Sequence, residues 1–137
     1  MRTKNVISKF AVAITMLILL TVSCSKDDEI DKCIFIRTNA MGMIMGGDNL
    51  SEEFLASLIF IISPNPAHDL TSLYFKTEGL NVVTITNKKG ITLYKESFDI
   101  PEGSGETYID ISEYPVGDYR VTVTNGTKKS TLCLRKN

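Results

Sequence analysis

The stretch that decides the fold is Asp118-Tyr-Arg-Val-Thr-Val-Thr-Asn-Gly-Thr-Lys-Lys-Ser-Thr-Leu-Cys-Leu-Arg135. Apolar and polar side chains alternate on both sides of Asn125-Gly126, which is typical of strands with one buried face. Asn-Gly is the strongest short signal for a β-hairpin, because a type I′ turn needs positive φ at both central residues. The stretch therefore predicts a hairpin that turns these side chains towards a core: Tyr119, Val121, Val123, Leu132 and Leu134.

The same alternation recurs upstream, with no amphipathic helix between the runs. Asn87-Lys-Lys-Gly90 is predicted to form the turn of a second hairpin, since glycine accepts positive φ. Residues 98–105 are predicted to form a longer polar loop. About seven short strands at this spacing favour an all-β fold, a single antiparallel sandwich of two sheets. The candidate strands cover residues 57–63, 71–76, 81–86, 91–94, 107–111, 118–124 and 130–135.

The N-terminus carries the pattern of an export signal. Basic residues precede an apolar run over residues 10–22, which is shorter than the roughly 20 residues of a membrane-spanning helix. Cys24 follows where the chain becomes polar, and this placement resembles a bacterial lipoprotein signal. The resemblance implies that residues 1–23 are removed and that Cys24 is acylated and anchors the chain in a membrane. The alternative is cleavage by an ordinary signal peptidase, with Cys24 incidental.

The residues directly behind this cysteine carry a second address. They resemble the surface-export tag of Bacteroidota lipoproteins, in which Lys or Ser followed by acidic residues directs a lipoprotein to the outer leaflet. The alternative is a solvated acidic spacer. With the lipid anchor, the tag predicts a lipid-anchored protein of the outer membrane, displayed at the cell surface. The residues of the tag are Ser25, Lys26, Asp27, Asp28 and Glu29.

The charge balance argues against a nucleic-acid partner. The full chain has 15 basic and 16 acidic side chains, and residues 1–23 hold three basic and no acidic ones. The mature chain would therefore carry a net charge of −4, whereas phosphate contacts need clustered Lys and Arg. Lys88-Lys89 and Lys128-Lys129 are isolated pairs, which we interpret as solvated charges at turns.

The chain divides into three regions by pattern. Residues 1–23 form the predicted signal, residues 24–57 a lipidated tether with a poorly specified segment, and residues 58–137 the sandwich domain. Residues 51–57 either form a short helix, capped by Ser51 and with acidic residues in its first turn, or lead directly into the first strand.

Three motifs in the sandwich region occur in an order that resembles a known family. They are Ser63-Pro-Asn-Pro-Ala67, Ile109-Asp-Ile-Ser112 and Tyr114-Pro-Val-Gly-Asp-Tyr119, and basic Arg135-Lys136 lies near the end of the chain. Over residues 63–137 this set resembles the C-terminal sorting domain of type IX secretion. It is also similar to a family of small Bacteroidota lipoproteins whose domain function is unknown. The resemblance implies an immunoglobulin-like sandwich and, for the sorting family, recognition by export machinery.

Two further cysteines would meet an oxidising compartment after export. Cys133 lies between two inward leucines and therefore faces away from the core. Cys33 lies on the outward face of its own alternating run. The two could form a disulfide if residues 33–37 lie beside the last strand, which would close a loop of about 100 residues. The alternative is that both thiols stay unpaired.

Met41, Met43 and Met45 come nearest to a metal site. Thioethers suit Cu(I), and three at period two would lie on one side of an extended strand. No other soft ligand is close in sequence, so an apolar face is the better interpretation. We therefore predict no metal and no cofactor.

His68 and Asp69 are the one hint of catalysis, because a carboxylate can orient an imidazole as a general base. No nucleophile is tied to them by motif, and Gly-x-Ser-x-Gly is absent from the chain. We interpret the pair as a solvated turn and predict no catalytic residue and no enzyme activity.

These observations predict a non-enzymatic surface lipoprotein. Its membrane contact is the N-terminal lipid, and its sandwich binds or scaffolds a protein or a glycan. The alternative is a sorting or assembly module that export machinery recognises through the C-terminal strands.

Overall fold

The computed structural model describes residues 33–48 and 50–137. Cys24, the predicted lipidation site, and residues 25–29, the predicted export tag, lie outside the described residues, as does the predicted signal over residues 1–23. The described residues form nine strands and one short helix: β1 (Ile34–Thr38), β2 (Ile44–Gly47), α1 (Glu52–Ser57), β3 (Phe60–Ser63), β4 (Leu70–Phe75), β5 (Gly79–Thr86), β6 (Thr92–Ile100), β7 (Gly105–Asp110), β8 (Gly117–Asn125) and β9 (Lys128–Lys136).

The strands form two sheets that face each other as a sandwich. The larger sheet has the order β2-β1-β9-β8-β5-β6, and the smaller sheet has the order β3-β4-β7. All neighbouring strands are antiparallel except β1 and β9, which run parallel. This architecture confirms the predicted all-β, antiparallel, immunoglobulin-like sandwich.

The core lies between the two sheets and is filled by the alternation that the sequence predicted. Every second side chain of β5, β8 and β9 is buried, and the smaller sheet supplies large apolar side chains opposite them. Burying one such side chain contributes about 1.5–3 kcal/mol. The largest fully buried side chains include Phe60, Phe75, Ile62, Leu73, Ile85, Ile109, Ile111, Leu132 and Leu134.

Both predicted hairpins are present. In the β8–β9 hairpin, Asn125 pairs with Lys128, so the loop is Gly126-Thr127, one residue later than the predicted centre. Gly126 has φ of 57°, the left-handed conformation that glycine adopts most easily. In the β5–β6 hairpin, the Gly90 N–H donates to the Asn87 carbonyl at 3.0 Å.

The predicted polar loop over residues 98–105 is wrong in its first part. β6 continues to Ile100, which is buried. The centroids of the Phe98 and Phe75 rings lie 5.9 Å apart. The loop is limited to residues 101–104. The run was interpreted as polar because of Asp99, Glu102 and Ser104, but Asp99 is an exposed side chain of the edge strand β6 and only the other two lie in the loop.

The described residues hold nine strands rather than about seven, because the poorly specified segment contributes β1 and β2. Gly46 and Gly47 occupy β2 with φ of 152° and 149°, conformations that other residues rarely adopt. Glycine supplies no side chain to the alternation, so the pattern gives no signal for this strand.

Of the two alternatives for residues 51–57, the structure shows the short helix, α1. The Phe54 N–H donates to Ser51 Oγ at 3.2 Å, and Glu52 and Glu53 occupy the first turn. Its partly buried Phe54 and Leu55 pack against the core. Within residues 33–48 and 50–137, no helix is long and apolar enough to cross a membrane.

Candidate functional site at the C-terminal strand

The last strand, β9, lies inside the larger sheet, and its two edges are covered in different ways. On one edge, β8 pairs with it through a regular ladder of nine residue pairs. On the other edge, β1 supplies two pairs, Ile34 with Leu132 and Phe35 with Cys133. The connection between β3 and β4, residues 64–69, covers the C-terminal end of this second edge. We call residues 64–69 the clamp.

The clamp imitates a neighbouring strand with its backbone. The Ala67 N–H donates to the Arg135 carbonyl at 2.8 Å, and the Asn137 N–H donates to the Ala67 carbonyl at 2.9 Å. Thr71 Oγ1 donates to the Pro64 carbonyl at 2.9 Å, which fixes the start of the clamp on β4. The final residues of the chain are therefore held on both sides.

Asn65 is the centre of the clamp. Its side chain is buried, and its Nδ2 donates to the Ile36 carbonyl at 2.9 Å and to the Cys133 carbonyl at 2.8 Å. Its Oδ1 accepts from the Arg135 N–H at 3.0 Å. One amide thus joins β1, β9 and the clamp. Leaving such buried groups without partners costs about 1–3 kcal/mol each.

Lys136 adds a charged contact beneath the strand end. Its side chain is 7 % exposed, and its Nζ donates to the His68 carbonyl and, at 3.1 Å, to Asp69 Oδ1. Asp69 is well exposed, with 76 % of its side chain accessible. The buried ammonium therefore has partners, while the carboxylate faces solvent.

Arg135 points to the opposite, outer side of β9. Its Nε donates to Asp118 Oδ1 at 2.8 Å, and its guanidinium carbon lies 4.5 Å from the centroid of the Phe35 ring. The hydrogen bond from Arg135 lowers the pKa of Asp118, and the same contact raises the pKa of Arg135. Arginine over an aromatic face gains about 0.5–1 kcal/mol at exposed sites. This group is the charged, exposed surface at the end of the chain.

The structure joins Cys33 and Cys133, the two cysteines that the sequence analysis considered as a pair. They form a disulfide with a Cα–Cα distance of 5.2 Å and a sequence separation of 100 residues. The bond lies on the outer face of the larger sheet, between the residue before β1 and the middle of β9. It therefore fixes the same edge of β9 that the clamp covers.

The Tyr114–Tyr119 motif closes the loop that precedes β8. Tyr119 Oη donates to the Pro115 carbonyl at 2.5 Å, and the two tyrosine rings lie 5.1 Å apart. Burial raises the pKa of Tyr114. A tyrosine near the start of a strand that binds backbone a few residues upstream is typical of immunoglobulin-like sandwiches.

The pair His68 and Asp69 does not form a dyad. In the part of the chain that the structure describes, no hydrogen bond joins the His68 ring to Asp69, whose Oδ1 accepts from Lys136 instead. The two residues contribute to the clamp through a backbone carbonyl and a carboxylate.

The three methionines lie apart from the clamp, in the turn before β2 and in β2 itself. They are exposed by 78 %, 56 % and 61 % at Met41, Met43 and Met45. The described residues contain no group of three His, Cys, Asp or Glu side chains that could hold a metal ion.

Sequence reasoning missed the roles of Asn65, Lys136 and the Arg135–Asp118 pair. Their partners lie between 17 and 70 residues away, so alternation gives no signal. A signal did exist at Asn65, because a polar residue between two prolines cannot continue a strand and is confined to a specific backbone path.

The fold and the clamp define the class of protein: an immunoglobulin-like sandwich in which the clamp holds the last residues of the C-terminal strand. The model of the secretion system C-terminal sorting domain matches residues 61–135, more than half of the chain. The chain therefore belongs to this family, and the match confirms the resemblance seen over residues 63–137. A search of curated proteins found no match.

Proposed function

We propose that the sandwich acts as a sorting module of type IX secretion, which a protein of the export machinery recognises at the C-terminal strand. Membership of the sorting-domain family supports this function. The observation that carries the proposal is the clamp, in which Asn65 and Ala67 hold the backbone from Cys133 to Asn137. A strand end that is already ordered loses little conformational freedom when a receptor binds it.

On this proposal, the recognised surface is the outer side of the strand end. There Arg135 lies over Phe35 and pairs with Asp118, and its side chain remains 45 % exposed. Arginine and aromatic side chains are enriched among the residues that dominate binding energy. Lys136 is buried on the opposite face of β9 and contacts the clamp behind this surface. The proposed activity is binding alone, without catalysis.

The test uses the full chain in cells with a working type IX system and in matched cells that lack it. We expect Arg135→Ala to lower the surface-exposed fraction towards the level in the cells without the system. Lys129→Ala is the matched control, because it removes an exposed basic side chain from the opposite end of β9. Surface proteolysis of intact cells measures the fraction, and circular dichroism checks folding.

Two results would count against the proposal in different ways. Wild-type surface exposure of a folded Arg135→Ala protein would exclude recognition at the strand end. Equal exposure of the wild type in cells with and without the system would exclude sorting by that system.

We also propose a second function, that of a lipid-anchored surface module which binds or scaffolds a protein or glycan. The N-terminal pattern around Cys24 and the acidic residues behind it support the anchor and the location. Met41, Met43 and Met45 are exposed, and apolar side chains left exposed this close together along the chain favour a binding role. The test is fractionation of cells that express Cys24→Ala, with Ser104→Ala in the exposed loop before β7 as control. Release of Cys24→Ala from the membrane supports the anchor, and its continued sedimentation contradicts it.

A further inference from the structure

We infer that β1 is an exchangeable strand: the edge of β9 beside it accepts an extended segment of a partner protein in place of β1 until the Cys33–Cys133 disulfide closes. The inference rests on the proposed sorting function for the identity of that partner, a protein of the export machinery. It adds the kind of contact, which is addition of a strand to the sheet.

The first observation is that β1 stands outside the family unit. The sorting-domain match begins at residue 61, after β1, β2 and α1. β1 joins β9 through two parallel residue pairs, whereas the other strand pairs are antiparallel. The matched residues therefore run from β3 to β9, and β1 adds the buried Ile36 to their core.

The second observation is that the site of β1 is a built receptor for a strand. Ile36 and Thr38 are buried there, and the Thr38 N–H donates to the Asn65 carbonyl at 3.0 Å. Asn65 Nδ2 donates to the Ile36 carbonyl, and the Ile62 carbonyl accepts from Thr38 Oγ1 at 2.6 Å. An empty site would leave these groups without partners. Exchange for another strand satisfies them, whereas simple release does not.

The side chains of β1 describe the partner that fits. Ile34 and Ile36 face the core at period two, followed by the small hydroxyl of Thr38. Phe35 faces outward under the Arg135 guanidinium, 4.5 Å away. The matching segment is therefore extended and runs parallel to β9, with two apolar side chains inward and an aromatic residue between them.

The disulfide sets the order of events. It ties Cys33, directly before β1, to Cys133 in β9. The chain joins β1 to β3 in both forms, and the disulfide adds a second link directly beside the site, which raises the effective concentration of β1 against any free segment. A partner strand must therefore engage β9 before the bond forms, a step in which the two thiols pass two electrons and two protons to an external disulfide, which is reduced to two thiols. The closed molecule keeps its own β1, and only there does Phe35 complete the surface with Arg135.

The test measures exchange with a defined probe. The full chain carrying Cys33→Ser and Cys133→Ser is compared with the disulfide-closed wild type. The probe is a synthetic peptide of residues 33–48 with serine at position 33 and a fluorophore at its N-terminus, and binding is read by fluorescence anisotropy. We expect the double variant to bind the peptide at least about tenfold more tightly than the wild type, because only its site opens. A peptide with Ile36→Asp is the matched control and should not bind.

Each outcome decides the question. Absence of binding to a folded double variant overturns the inference, and so does equal binding of the Ile36→Asp peptide. If the double variant does not fold, the peptide is added during refolding: recovery of sheet structure supports exchange, and no recovery overturns it. If the double variant dimerises by exchanging β1 between copies, added peptide should dissociate the dimer, which supports exchange. A dimer that persists at saturating peptide overturns it.

The experiment contains no export machinery. Its failure therefore leaves the sorting function to be judged by the surface assay of Arg135→Ala, and failure of that assay leaves strand exchange to be judged here.

Discussion

The two edges of β9 are held by different kinds of contact. On the β8 edge, nine residue pairs repeat one antiparallel pattern. The other edge is held by two parallel residue pairs, one asparagine side chain, the backbone of Ala67 and a disulfide. A ladder spreads its stability over many equivalent bonds, so single side chains matter little. A composite edge depends on individual residues, so single substitutions there should lower the free energy of unfolding strongly.

The largest effect is expected from removing the disulfide. Replacing Cys33 and Cys133 by serine should lower the free energy of unfolding by about 4 kcal/mol, because the loop they close loses its chain-entropy restriction. Urea unfolding under non-reducing conditions measures the change. The wild type with added reductant is the control and should lose a similar amount. A loss below about 1 kcal/mol would mean that this edge does not depend on the bond.

Asn65→Ala comes next. It should cost about 3 kcal/mol, because it removes three hydrogen bonds and leaves the Ile36 and Cys133 carbonyls without partners. Asn125→Ala is the matched control at the far end of β8, where the side chain makes one exposed hydrogen bond to the Glu78 carbonyl. Equal losses for the two variants in urea unfolding would contradict a composite edge centred on Asn65.

A smaller effect is expected at Lys136. Lys136→Met keeps the aliphatic stem but removes the contacts to the His68 carbonyl and Asp69, at a cost of about 1–2 kcal/mol. Lys129→Met changes the same residue type on β9 at an exposed position and should be almost neutral. The thermal midpoints of the two variants give the comparison. A midpoint for Lys136→Met that matches Lys129→Met would show that the ammonium contributes nothing to the strand end.

The smallest effect concerns the exposed pair of Asp118 and Arg135. The pKa of Asp118 is lower in the folded protein than in the unfolded chain, so the pair stabilises the fold above the unfolded carboxyl pKa. This contribution is lost as the pH falls through the folded pKa. Asp118→Asn should therefore cost less than about 1 kcal/mol at pH 7. The difference from wild type should vanish in strong acid.

Unfolding curves at pH 7 and in acid test this point, with Asp99→Asn on β6 as control. A cost of Asp118→Asn that grows on acidification would reverse the sign and contradict the origin assigned to it.

The sequence predicted the regular edge of β9, and of the composite edge it raised only the Cys33–Cys133 pair, as one of two alternatives. Alternation around Asn125-Gly126 specifies both β8 and β9, because each residue of a strand reports on its own burial. The placement of Cys133 away from the core follows from the same rule. Asn65 lies 68 residues before Cys133, and only the folded chain brings its amide to that carbonyl. β2 was missed because glycine carries no burial signal, and β6 was cut short because its exposed polar side chains resemble those of a loop.

The disulfide also decides how the protein responds to a pull. Tension applied to the chain ahead of Cys33 passes through the bond to Cys133 and enters the sheet at the middle of β9. Residues 34–132, between the two cysteines, are bypassed by the bond, so β1, β2 and α1 do not have to transmit this tension along the backbone. If the rest of the sandwich is held, β9 is loaded along its length against β8, where many backbone hydrogen bonds must break together. The disulfide prevents the hydrogen bonds of β1 from breaking one after another from the N-terminal end.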